Sequence, residues 1–260
     1  MLKPNSFACE RLTVDIYPDR QEAGAAGASI AAEEIQRVLA HKSETALIFA
    51  SAVSQEPFLA ALRNCQVDWK RITVFHLDEY AGISPDHPAS FRRFLRERLL
   101  DYIPVRAFHQ LNGKARDLDS ECRRYAALLR EAQPEMVALG IGENGHLAFI
   151  DPHSCDFNDP EDVRVVELDY ACRLQQVHDG AFTEVEDVPR LALSITIPVV
   201  LRVPRALIFV NGESKSVAVR AALEDPIIEA CPASALRQHN HASMFLDEAA
   251  ASRLNLFLPR

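Results

Sequence analysis

The chain has 260 residues, enough for one large α/β domain or two small ones. It is 48% hydrophobic and 25% charged, ordinary for a globular chain that buries a core, and its net charge of -9 argues against a nucleic-acid partner, which wants a basic face. The longest apolar runs, such as 192–203, are broken by Thr, Ser, Pro or Arg, and none reaches the ~18 residues of a membrane span.

The amino end, MLKPNSFACERLTVD, has no apolar stretch behind a basic start, so no secretory leader is expected and the cytoplasm is the default location. Leu12–Tyr17 reads as a strand, followed by a long alanine-rich helix over 19–41. A strand at 45–50 precedes a helix at 56–64, and the β-branched run RITVFHL, 71–77, is a strand ending at an acidic pair. Ser90 can cap a helix running FRRFLRERLL, and Asp117 or Asp119 can cap ECRRYAALLREA. Residues 135–140 form a strand that breaks into glycines. Later strands are expected at 164–168, 191–196 and 206–210, the last leading into a helix over 215–223. The polar segment 151–162 reads as a loop long enough to cover an active site.

Strands separated by helices imply a mainly parallel, Rossmann-like sheet with helices on both faces, and no linker divides the chain, so 1–260 reads as a single domain. Ligands gather at the carboxyl ends of such strands, which selects the segments after Ala50, Leu77 and Leu139. The six cysteines are scattered, with no CxxC pair and no Cys/His spacing suited to zinc, so they read as reduced, mostly buried residues. No metal and no cofactor is expected. Apolar helix faces are compatible with a homo-oligomer without demanding one.

Two segments carry chemistry. Gly140-Ile-Gly-Glu-Asn-Gly145 fits G-x-G-x-x-G after a strand, but Pro152 cuts off the long helix that a dinucleotide fingerprint needs at its third glycine. A plain glycine turn is the simpler alternative, yet neither reading explains why His146 and Asp151 follow so closely. Asp78-Glu79 sits at a strand's carboxyl tip, where a water-excluding site can raise a carboxyl toward a useful general base. A solvated acidic turn is the competing reading, and His87 before Pro88 reads as a turn residue.

HLDEYAG, HPASFRRF, QLNG and GIGENGHLAFIDP, followed by DVPRLALSITIP and GESK, resemble the glucosamine-6-phosphate deaminase family in order and spacing over roughly 15–246. The related 6-phosphogluconolactonases share the fold and a GxGxxGH loop, but typically carry a DER-type segment in place of DEY and lack LNG. The resemblance implies a deaminase/lactonase-type fold and an enzyme converting an amino-sugar phosphate, glucosamine 6-phosphate or a close relative, to a ketose phosphate and ammonia. Lactone hydrolysis and a non-catalytic sugar-phosphate sensor are the alternatives. It assigns Asp78 as the base moving a proton between C2 and C1, His146 as the group opening the sugar ring, and Asp151 as the carboxylate orienting His146, with Asn144 beside them. Ser51, Ser54, Gln55 and Lys215 fall to the phosphate, and Glu79, Gly145, Arg173 and His178 to the substrate. As a solvated surface residue, Lys215 would have no such part.

Four departures from the family pattern stand out. The phosphate loop Ser51-Ala-Val-Ser-Gln55 lacks glycines, and His178 replaces a phosphate-binding arginine, although Arg173 five residues earlier matches another family arginine. Asn144 stands where many members have Asp, and Asp151 is shorter than the family's glutamate.

Overall fold

The computed structural model describes residues 5–255. It begins with an edge strand that the sequence reading did not expect, β1 (Asn5–Cys9), paired antiparallel with the expected β2 (Leu12–Tyr17). Helix α1 (Arg20–Leu39) starts where the Asp19 carboxylate accepts the amides of Gln21 and Glu22 at 2.8 and 2.9 Å, satisfying donors that the first turn leaves open. Next come β3 (Thr45–Phe49), α2 (Glu56–Leu62), β4 (Ile72–His76), the short β5 (Asp78–Tyr80), α3 (Phe91–Arg98) and β6 (Ala107–Phe108). The second half runs α4 (Leu118–Ala132), β7 (Met136–Leu139), β8 (Val163–Glu167), α5 (Tyr170–His178), β9 (Leu191–Ile195), α6 (Ile197–Arg202), β10 (Arg205–Val210), α7 (Ser216–Glu224) and β11 (Ala242–Asp247).

Eight strands form the main sheet in the order β1-β2-β11-β10-β7-β3-β4-β6, with every pairing parallel except β1 with β2. This is the mainly parallel architecture expected from the alternation of strands and helices. Side chains alternate between its faces: Leu47 and Phe49 join one core cluster with α1 and α2, while Ala46 and Ile48 join the other with α4 and α7. The strands expected at 164–168 and 191–196 do not enter this sheet. They are β8 and β9, and β9 pairs antiparallel with both β8 and β5 in a separate three-stranded sheet. Their alternation records a buried face, and a buried face does not say which sheet covers it.

Asp117 caps α4 as expected, accepting the Ser120 amide at 2.9 Å. Ser90 occupies the cap position of α3 but makes no cap bond; Glu79 receives the Phe91 and Arg92 amides instead, both at 3.2 Å. The loop over 151–162 is not the expected cover. Arg164 holds it to the small sheet through the Ser154 carbonyl and through Asp159 at 3.0 Å, and none of its residues lines the cavity described below. Among the described residues no helix is long and apolar enough to cross a membrane.

Candidate active site

In the main sheet, β3 leads outward to β4 while its neighbour β7 leads the other way to β10. Diverging connections open a crevice at the carboxyl ends of the strands. A cavity of about 290 Å³ lies there, lined by Ser51 and Ser54 after β3, Leu77 and Asp78 after β4, Gly140 and His146 after β7, and Asn211 and Lys215 after β10. All three segments selected from the sequence contribute to it.

The glycines after β7 make the local geometry possible. A Cβ on Gly142 would lie 2.2–2.3 Å from atoms of the His146 ring, so only glycine lets the imidazole lie against this turn. Gly145 has φ +86°, which non-glycine residues rarely adopt, and does not itself line the cavity. The chain thereby folds back and sets the His146 Nδ1 2.8 Å from the Asn144 Oδ1 and 3.3 Å from the Asp151 Oδ1. Both partners are oxygens, so Nδ1 carries the proton and Nε2 is left to accept or deliver one.

Asn144 is fully used: its Oδ1 also accepts the His146 amide, and its Nδ2 donates to Asp151 at 2.9 Å and to Asp169 at 3.0 Å. A carboxylate there would face two others, so asparagine fits this site for a physical reason. Burial pushes the Asp151 carboxyl up, but the bonds from His146 and Asn144 and from the Asp169 amide outweigh it and hold the group below its ordinary value. The shorter Asp151 thus still reaches the imidazole.

The acidic pair divides into two different environments. Glu79 is fully buried and accepts five hydrogen bonds, from the Tyr80, Phe91 and Arg92 amides, the Ser90 hydroxyl and the Arg92 guanidinium at 2.8 Å. It does not line the cavity, so the substrate contact expected of it is replaced by an internal one, tying β5 to α3. Asp78 does line the cavity, and burial, reinforced by the charge of Glu79, raises its carboxyl well above the ordinary range. A carboxyl displaced in that direction can hold or release a proton near neutral pH.

Lys215 is the cavity's buried cation. It is 8% exposed, and its Nζ has no hydrogen-bond partner among the described residues. Burial pulls its pKa down, with Asp179 and Glu143 opposing the change. The surface-residue reading of Lys215 is therefore wrong. Ser54 also lines the cavity, and Gln55, fully buried, donates to the Ser54 hydroxyl at 3.1 Å. Ser51 also lines the cavity, its hydroxyl donating to the Phe91 carbonyl at 3.2 Å.

The other two residues expected at the substrate, Arg173 and His178, lie outside the cavity lining as Glu79 and Gly145 do. Arg173 is spent on the carbonyls of Val185 and Val188, which anchor the turn before β9. His178 is exposed, 3.6 Å from Glu143, at the carboxyl end of α5.

The glucosamine-6-phosphate isomerase/6-phosphogluconolactonase family model matches residues 18–245. The chain belongs to this family. A glucosamine-6-phosphate deaminase of Bacillus thuringiensis strain Al Hakam is 33% identical over 218 residues, covering 84% of this chain and 81% of that protein, and one of Bacillus cereus strain AH820 matches to the same extent. The solved structure of a glucosamine-6-phosphate deaminase described as monomeric superposes with a TM-score of 0.84 at 31% identity, covering 92% of this chain and 98% of the other. The 6-phosphogluconolactonase of Trypanosoma brucei superposes with a TM-score of 0.76 at 19% identity, over 93% of this chain and 98% of the other, which speaks to the fold alone.

In this glucosamine-6-phosphate isomerase/6-phosphogluconolactonase family member, several lining residues escaped the sequence reading. Gln175, Gln176 and Asp179 come from α5 and its end, and Arg98, paired with Glu56 at 2.8 Å, comes from α3. Asp169 was missed too. It caps α5 by accepting the Cys172 amide, and it holds Asn144 through its other oxygen. The legible signal was an Asp placed before a short apolar-periodic run, the usual mark of a helix start.

Proposed function

We propose that this protein is a deaminating aldose–ketose isomerase acting on glucosamine 6-phosphate or a close amino-sugar phosphate. The observation that carries this reading is that one cavity brings together a buried carboxyl with a raised pKa, Asp78, an imidazole held at Nδ1, His146, and a buried ammonium with no partner among the described residues, Lys215. Lys215 and Ser54 would hold the phosphate, the ammonium finding there the partner it lacks in the protein.

Each group has a task that the chemistry requires. The hydrogen on C2 is weakly acidic until the ring is open and C1 is a carbonyl, so ring opening must come first. His146 Nε2 serves as the proton carrier between the C1 hydroxyl and the ring oxygen, while Asn144 and Asp151 hold the ring in one tautomer. Asp78 then takes the C2 proton to give an enolamine and returns it at C1, which leaves an imine at C2. Water adds to that carbon, ammonia leaves, and the ketose phosphate remains. Lactone hydrolysis, the other activity in the family's name, moves no carbon-bound proton and would leave a buried, proton-accepting Asp78 without a task. A sensor would use Lys215 for the phosphate but would need neither Asp78 nor His146. The six free cysteines suit a reducing compartment, in keeping with a cytoplasmic location.

The test is turnover of a panel of amino-sugar phosphates in deuterated water, with ammonia measured and the ketose examined by NMR. Ammonia should appear together with deuterium at C1, partial where the proton returns before exchanging. Hydrolysis of a phosphosugar lactone, with every amino-sugar phosphate left unlabelled, would refute the reading.

A further inference from the structure

The mechanism above gives no task to Cys172, although its thiol lies against the residues that do the chemistry. His146, Asp151 and Cys172 each offer one ligand atom, and these atoms all lie within 4.8 Å of one another. The three side chains are 7%, 0% and 1% exposed, and they come from separate places in the chain: the glycine turn after β7, the loop beyond it and the first turn of α5. We propose that His146, Asp151 and Cys172 form a capture site for a thiophilic divalent cation of the zinc class, which switches the enzyme off.

The donor set fits such an ion. One imidazole nitrogen, one carboxylate oxygen and one sulfur is the mixture of borderline and soft donors that zinc takes, and the thiolate and carboxylate together balance its two charges. The surrounding field is negative as well. Asp151, Asp169 and Asp78 all act on the Cys172 sulfur and, after burial, add to the rise of its thiol well above the ordinary range. The same carboxylates that keep the proton on the thiol attract a divalent cation, and binding releases that one proton. His146 also lines the cavity, which supplies a route of entry and room for a water as a further ligand.

The inhibitory consequence rests on the role given to His146 under the proposed function. An ion bound by its ring and by Asp151 removes the proton carrier and its orienting partner together, so ring opening stops until a chelator removes the metal. The scattered cysteine spacing gives no hint of this site, since its ligands lie at positions 146, 151 and 172 and meet only through the turn after β7 and the placement of α5.

The test uses the full chain, stripped with EDTA and titrated with Co²⁺ and then Zn²⁺. One Co²⁺ should bind per chain with a thiolate-to-cobalt charge-transfer absorption, which Zn²⁺ abolishes by displacement; Zn²⁺ should also stop ammonia release reversibly. Cys172→Ala and Cys172→Ser should both lose the absorption. In EDTA, Cys172→Ala should turn over like wild type, and its inhibition by Zn²⁺ should weaken by at least about tenfold, since losing even an outer-shell partner of a ligand costs about 10–100-fold in affinity. A wild-type protein without the thiolate band overturns the proposal, and so does a band that survives Cys172→Ala or a zinc sensitivity that Cys172→Ala leaves unchanged. If the variants fail to fold, the wild-type spectrum decides alone. The spectrum needs no turnover, so a chain that shows the band but releases no ammonia refutes the deaminase reading and keeps the metal site.

Discussion

Lys215→Met keeps the length and apolar stem of the side chain and removes only its charge, so it tests the cavity's anion-binding end directly. Lys215 is buried and its Nζ has no partner among the described residues, a condition that costs roughly 1–3 kcal/mol. The ligand-free Met variant should therefore be more stable than wild type by about that much, or roughly 2–10 °C in melting temperature for a chain of this size. Substrate binding should move the opposite way. Losing a charge-assisted contact worth about 1.5–3 kcal/mol raises KM for an amino-sugar phosphate by roughly ten- to a hundredfold. Unphosphorylated glucosamine, which lacks the group that Lys215 would bind, should be turned over as poorly by the variant as by wild type. The pH dependence has a definite sign. Burial holds the folded pKa of Lys215 below 10.5, so just below that value the unfolded chain binds more protons and stability rises with pH. Below the folded pKa the cost is fully present, and the Met variant should lack the alkaline rise altogether. Thermal melts across pH and steady-state kinetics on both sugars make the measurement. An unchanged KM together with an unchanged melting temperature would refute the argument, because neither the burial nor the phosphate would then act through Lys215.

Asp78→Asn should lower ammonia release by roughly 10²–10⁴-fold, the usual worth of a positioned base, with C1 labelling falling in step. Because the folded pKa of Asp78 is raised, the stability it contributes is lost as pH rises through that value, so the Asn variant should melt no lower than wild type at neutral pH. In Gly142→Ala, the new methyl would sit 2.2–2.3 Å from His146 ring atoms, so kcat should drop by more than about tenfold while the circular dichroism stays native; normal turnover would mean that the imidazole does not need its present position. Arg92→Leu strands the fully buried Glu79 carboxylate and should destabilise the protein by about 3–5 kcal/mol in denaturant unfolding, with part of the loss recovered when Glu79→Gln is added. A single variant that unfolds like wild type would show that the buried ion pair is not the brace of α3.

The strands of the main sheet were largely legible because their side chains are buried on both faces, which leaves short, continuous apolar runs such as Ala46-Leu-Ile-Phe49 between polar breaks. The edge strand β1 was not, since it carries exposed polar residues on a sheet margin and shows little pattern, and the buried β11 (Ala242–Asp247) was not either. Helix α5 was missed although Asp169 marks its start, because its nine residues leave too short a period to stand out.

The sequence by itself determined the alternation of strands and helices, though not β1, β5, β6, β11, α5 or α6, together with the glycine turn after β7 and the presence of Asp78, His146 and Lys215 after three strand ends, because periodicity, turn chemistry and motif are local properties of the chain. Only the tertiary structure decided what each of these groups faces. Asp78 and Glu79 are neighbours in sequence, yet one opens on the cavity and the other is closed over by Arg92 and Ser90, because successive residues of β5 point to opposite sides. Burial likewise separates Lys215 from the exposed cations, and the packing of α5 sets Cys172 and Asp169 beside a histidine more than twenty residues earlier in the chain. Burial and electrostatic environment arise from contacts between segments far apart in sequence, and so they exist only once the sheets and helices have packed.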